Sequence, residues 1–176
     1  LPERELVTLG IDPGTAILGF GAIRGSSDPV LIDVGVIETA SSSPMPDRLL
    51  RLHAEASLLI ETYEPDVVAV EQLFFARNVT TAIAVGQARG VILLAAAQAG
   101  VDVAEYSPSE VKFAVAGYGK ASKKQMQEMV RLILNLPEAP HPDDAADALA
   151  IALCHAQTAP FAARITARGP AAWDDR

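Results

Sequence analysis

Four carboxylates stand where folding alone gives no reason for them. Asp12 closes an apolar run at residues 6–12, immediately before Pro13-Gly14-Thr15, and Glu71 closes a second at residues 67–71. Asp144 and Asp147 interrupt an otherwise apolar stretch that begins Asp143-Asp144-Ala145-Ala146-Asp147-Ala148-Leu149. Their i, i+3 spacing puts both on one face of a helix, and the alanines between them leave room for close approach. Asp12 also suits a turn acceptor before Pro-Gly, and Asp143 or Asp144 a helix N-cap. Asp147 lies too far along the helix for that. Among Ala, Leu and Ile it must be paired, protonated or metal-bound, because an uncompensated buried charge costs several kcal/mol. Strand-end carboxylates meeting helix carboxylates make an all-oxygen site suited to Mg²⁺. Two such ions, roughly 3.5–4 Å apart, serve in-line displacement at phosphorus.

The elements that must position these acids follow from hydropathy. Residues 6–12, 17–24 and 30–39 are apolar or alternating runs separated by turn residues, expected as three strands of an antiparallel meander. After a Ser/Pro linker at 40–46, apolar positions recur at helical spacing to Tyr63, and residues 67–71 form a short strand buried on both faces. Asn78 is placed to cap a helix over 78–98 that Gly100 stops, and residues 101–106 form a fifth strand. Helices are expected at 109–116, 122–135 and 143–157. The fold class is α/β, a five-stranded mixed sheet flanked by helices, with one domain over residues 1–157 and a C-terminal tail of uncertain order over 158–176. The 78–98 helix is apolar nearly all round, so it needs cover on more than one side, from within the monomer or from a second subunit.

Composition bounds the remaining possibilities. With 176 residues, 50% apolar and 20% charged, the chain has material for one full core. Its single cysteine, Cys154, allows neither a disulfide framework nor a zinc-ligand set, and its apolar helical context is that of an inert buried thiol. No apolar run of membrane-span length and no signal-peptide core is read in the sequence, so a soluble, cytoplasmic protein is expected. The net charge is −8 and unevenly spread. Residues 72–131 hold 7 basic and 4 acidic side chains between acidic flanks, a distribution that fits either a phosphate-facing surface or uneven decoration of a solvated one. Lys120, Lys123 and Lys124 stand before or within the first turn of the 122–135 helix, where they oppose the helix dipole; bound phosphate would account for them. Arg77 and Arg89 are further phosphate candidates, Arg89 equally a structural ion-pair member. Of the adjacent Phe74 and Phe75, at least one can leave the core and stack on a base. Tyr118 is a weaker candidate for the same role.

Leu9-Gly10-Ile11-Asp12-Pro13-Gly14-Thr15, Val70-Glu71-Gln72-Leu73-Phe74-Phe75-Ala76-Arg77-Asn78, Gly86-Gln87-Ala88-Arg89-Gly90 and Asp144-Ala145-Ala146-Asp147-Ala148 occur in that order. Together they closely resemble RuvC, the bacterial crossover-junction endodeoxyribonuclease family, over about residues 7–155. The resemblance implies a ribonuclease-H-like fold and a homodimer, here through the 78–98 helix. It implies paired symmetric nicking of four-way (Holliday) junction DNA in recombination and repair. It further implies Asp12, Glu71, Asp144 and Asp147 as catalytic metal ligands, two Mg²⁺ ions per subunit with Mn²⁺ able to substitute, and a RuvA–RuvB branch-migration partner. Some such proteins carry histidine at the third ligand position, where this chain has Asp144. Lys112 and Lys123 match basic positions that support DNA binding or catalysis, and Phe74 the position associated with stacking at the crossover. Asp143 and His141 read as residues behind or beside the ligands. The alternatives are a ribonuclease-H-like nuclease acting on RNA, an actin-like phosphate-binding ATPase fragment, and a catalytically silent junction binder.

Overall fold

The computed structural model describes residues 5–72 and 79–167. Ten elements follow in the order β1 (Val7–Asp12), β2 (Ile17–Arg24), β3 (Val30–Glu38), α1 (Met45–Tyr63), β4 (Val67–Glu71), α2 (Val79–Ala99), β5 (Asp102–Tyr106), α3 (Pro108–Ala116), α4 (Lys123–Ile133) and α5 (Asp143–Ala167). The sheet runs β3-β2-β1-β4-β5. The first three strands form the expected antiparallel meander, and β4 and β5 join β1 in parallel. Such parallel crossovers need a helix between strands, supplied here by α1 and α2.

The two faces of the sheet carry separate cores. Leu9, Ile11, Val68 and Val70 pack with Leu52, Ala56 and Ile60 of α1 and with Ala88, Ile92, Ala95 and Ala96 of α2. Ile23 and Ala69 face the other way, into a core with α3, α4 and the Leu149–Cys154 stretch of α5. Alternation along β1 therefore sends Leu9 and Ile11 to one side and Thr8, Gly10 and Asp12 to the other.

Two strand glycines set how close α5 comes. A Cβ on Gly10 would lie 2.1 Å from the Ala148 carbonyl oxygen, and one on Gly19 2.0 Å from that of Asp144. The helix backbone thus rests directly on the sheet, with Ala145, Ala148 and Ala152 fully buried beneath it. Glycine inside a strand marks such a close approach.

Element boundaries differ from the sequence expectation in two instructive places, and one helix differs in hydropathy. Helix α1 begins at Met45, inside the expected linker, because Pro46 falls in the first turn, where a missing N–H costs nothing. Helix α5 does not stop at Gln157 but runs to Ala167. Thr158 is anchored within it, donating its hydroxyl to the Cys154 carbonyl at 2.7 Å. By length and composition, Thr80–Ala99 is apolar enough to cross a membrane, contrary to the sequence reading, since Arg89 is its single charge. Its Ala88, Ile92, Ala95 and Ala96 nonetheless sit in the core, while Ile83 and Leu94 are exposed. The expected Asn78 cap lies outside the described residues.

Gly10→Ala is expected to destabilise the fold by about 1–3 kcal/mol, since α5 must lift or its neighbours shift. That corresponds to a fall of several degrees in the thermal midpoint for a chain of this size. Thermal unfolding followed by circular dichroism measures it, and an unchanged midpoint would contradict the close seating.

Candidate functional site

The carboxyl edge of the sheet assembles the acids. Ile11 pairs with Val70 in the parallel β1–β4 register, so Asp12 and Glu71, one residue further on, end neighbouring strands on the α5 side. Asp12 also pairs with Gly19 across β2, and the Asp144 carbonyl lies over that glycine. The register and the helix seating therefore bring Asp144 and Asp147 to the strand ends. Gln72 N–H donates to the Tyr106 carbonyl at 2.8 Å, securing the end of β4. The turn after Asp12 is tied from outside: Arg48 Nε donates to Thr39 Oγ1 at 2.8 Å, and that hydroxyl donates to the Thr15 carbonyl.

Asp12, Glu71 and Asp147 line one cleft of about 270 Å³, together with Lys112, Lys123 and the apolar walls Pro108, Val111, Met126, Ala150 and Ile151. Burial, then the charges of Glu71, Asp147 and Asp144, pushes the Asp12 carboxyl up from 3.8 to about 7, against a smaller opposing pull from Lys123. Burial and the Asp147 charge raise Glu71, opposed by Lys112. Burial also raises Asp147, although Lys123 pulls it down. Carboxylates crowded in a half-buried cleft hold more negative charge than their surroundings neutralise.

The donor set, carboxylate oxygens only, fits a hard divalent cation. Among the described residues no three His, Cys, Asp or Glu side chains form a ready-made ligand cage. Lys123 stands on Asp147, with Nζ 3.3 Å from Oδ2. Ligation therefore needs side-chain rotation within the cleft.

The remaining sequence candidates distribute around this edge. Lys112 and Lys123 form part of the cleft itself. Lys124 lies on a neighbouring groove of about 500 Å³ beside Tyr118, which is exposed. Lys120 is exposed in the segment between α3 and α4. Ser122 caps α4 reciprocally with Gln125, fixing where Lys123 and Lys124 emerge. Phe74 and Arg77 lie outside the described residues. Arg89 proves to be a structural partner, its guanidinium bonded to Glu105 on β5. Cys154 is fully buried, its thiol pushed up to about 12 by burial, in keeping with an inert role. One residue that the sequence did not single out, Gln127, also bears on the site through Asp143. Gln127 donates to Asp143, which in turn holds Lys123 from outside the cleft, and only the mutual placement of α4 and α5 reveals this chain.

A mixed sheet in this strand order, covered by helices on both faces and carrying acids at its carboxyl edge, defines a ribonuclease-H-like protein. The family described as crossover junction endodeoxyribonuclease RuvC matches residues 8–155. A relative of that name from Chloroflexus aggregans is 60% identical over 153 residues, covering 86% of this chain and 93% of its own. The structure of Thermus thermophilus RuvC in complex with Holliday junction substrate superposes with a TM-score of 0.85 at 43% identity, covering 89% of this chain and 96% of that one. The yeast mitochondrial Holliday junction resolvase Ydc2 shares the fold at 15% identity, with a TM-score of 0.65, covering 92% and 82% of the two chains. The chain belongs to the RuvC family.

Because its folded-state pKa is raised, Asp12 contributes most to metal-free stability below about pH 4, and that contribution is lost as pH rises through about 7. Asp12→Asn should therefore stabilise the metal-free protein at pH 8 by about 2–4 kcal/mol, the difference fading by pH 4. Denaturant unfolding at both pH values checks this; equal stabilities at pH 8 would contradict it.

Proposed function

We propose that this protein is a structure-specific endodeoxyribonuclease that resolves four-way DNA junctions by paired, symmetric nicks, acting in recombination and repair. The observation that carries the reading is the single cleft holding Asp12, Glu71 and Asp147 between Lys112 and Lys123, with Asp144 beside it. Family membership and the junction-bound relative support the substrate.

Asp12, Glu71, Asp144 and Asp147 would hold divalent cations, two Mg²⁺ ions per subunit with Mn²⁺ as a substitute. Bound there, such ions supply charge neutralisation at the phosphodiester and a water acidic enough to attack it. The chain's own residues do the rest. Burial and the neighbouring acids raise the Asp12 carboxyl, so a cation held in the cleft would favour its ionised form. Lys112 faces Glu71 and favours its ionised form. The apolar walls thin the water around the reacting groups and strengthen each charge interaction there. Lys112, Lys120, Lys123 and Lys124 are assigned to the phosphate-binding rim; the sequence assigns phosphate contact to Arg77, and the family resemblance assigns stacking at the crossover to Phe74. Two nicks placed symmetrically need two active sites, so we place a second copy on the exposed Ile83 and Leu94 side of α2. Action on chromosomal junctions places the protein in the cytoplasm, with a RuvA–RuvB type of branch-migration partner. The ribonuclease-H-like domain covers residues 1–157 in this reading, and α5 carries the chain on from it to Ala167.

The test uses purified protein with Mg²⁺ on a synthetic four-way junction, linear duplex and structured RNA. Paired nicks on the junction are expected, falling on the order of a hundredfold or more in Asp147→Asn while junction binding persists. Equal cutting of duplex, or cutting of RNA alone, would overturn the reading.

A further inference from the structure

Lys123 is held at the cleft by two carboxylates of different standing. Its Nζ lies 3.1 Å from Asp143 Oδ2 and 3.3 Å from Asp147 Oδ2. The other oxygen of Asp143, Oδ1, accepts a hydrogen bond from Gln127 Nε2 at 2.7 Å. Lys123 and Gln127 are i, i+4 on α4, so one helix face grips both oxygens of a single carboxylate. Lys123 and Asp147 line the cleft, and Asp143 does not. The ammonium thus stands between an acid inside the cleft and an acid outside it.

The two anchors respond differently to a cation in the cleft. Asp147 would turn toward it, while the ammonium would be repelled by it. With Asp147 as its one anchor, Lys123 would then swing into solvent, where a long lysine stem regains its rotamer freedom. Asp143 has both oxygens engaged on the outer side and keeps its hold. A lone exposed ion pair holds little, but Gln127 has already ordered this carboxylate, so less entropy is lost in fixing the pair.

We propose that Asp143, clamped by Gln127, is a positioning residue that keeps the Lys123 ammonium at the cleft wall once Asp147 turns to a divalent cation. A fixed positive charge then faces the anionic backbone beside the metal-binding acids. The benefit to cleavage rests on the nuclease reading above; the tie itself does not.

The experiment follows the Lys123 side-chain Nζ–H resonance in ¹⁵N-labelled full-length protein, assigned by its disappearance in Lys123→Ala, with and without saturating Mg²⁺. In the wild type the hydrogen-exchange-protected signal should survive Mg²⁺. In Asp143→Asn it should be lost on Mg²⁺ addition, with the thermal midpoint unchanged. On the junction, Asp143→Asn should lower the single-turnover cleavage rate roughly ten- to a hundredfold. Junction affinity in EDTA should stay within about twofold. Gln127→Ala, which leaves the charge in place, should give a smaller rate loss in the same direction. Loss of the wild-type signal on Mg²⁺ addition, its survival in Asp143→Asn, or an unchanged rate in a variant whose parent cuts junctions would each overturn the proposal. A wild type that nicks no junction would sink the nuclease reading, and the resonance would still decide the tie.

Discussion

The seating of α5 on β1 and β2 is the contact on which the rest of the molecule depends. Two carboxylates come from strand ends and two from a helix, and no local sequence rule brings those together. Backbone packed on backbone does so. Side chains at Gly10 and Gly19 would occupy the volume of the Ala148 and Asp144 carbonyls, so these strand positions must be bare for the helix to lie where it does. The same contact fills one of the two cores with the Leu149–Cys154 stretch, tying the site to the stability of the fold.

Electrostatics opposes what packing imposes. Burial first, and then repulsion among acids that the backbone holds together, drives the Asp12 carboxyl up to about 7. The molecule meets this strain in two ways. It places Lys112 and Lys123 on the walls of the cleft, and it leaves the carboxylates short of a closed cage, with Asp147 resting on Lys123. A divalent cation would relieve the crowding in a cleft so arranged. Although the whole chain is acidic, Lys112 and Lys123 line the cleft and Lys124 the groove beside it.

Much of this was legible in the sequence because individual residues broke local rules. Asp147 in an apolar helix and Glu71 at the end of a buried strand have few structural excuses, and both line the cleft. The meander, the mixed sheet and the helix order followed from periodicity and turn residues. What the sequence left open depended on distances between elements. Arg89 was equally a phosphate ligand or an ion-pair member until β5 placed Glu105 against it. Asp143 was a helix cap or an extra acid until α4 placed Lys123 and Gln127 on it. The sequence reading ended the helix at Gln157, whereas the Thr158 hydroxyl returns to the Cys154 carbonyl and α5 runs to Ala167. Gly10 and Gly19 were available as signals of close approach, but a strand glycine does not say what approaches.

The central claim is that packing gathers dispersed acids so that they share divalent cations. The most direct measurement is a crystal structure of the protein grown with Mn²⁺, read by anomalous scattering. An ion in the cleft bridging Asp12 and at least one of Glu71, Asp144 and Asp147, with metal–oxygen distances of about 2.1 Å, is the predicted result. A cleft without an anomalous peak at saturating Mn²⁺, its carboxylates still apart, would contradict it.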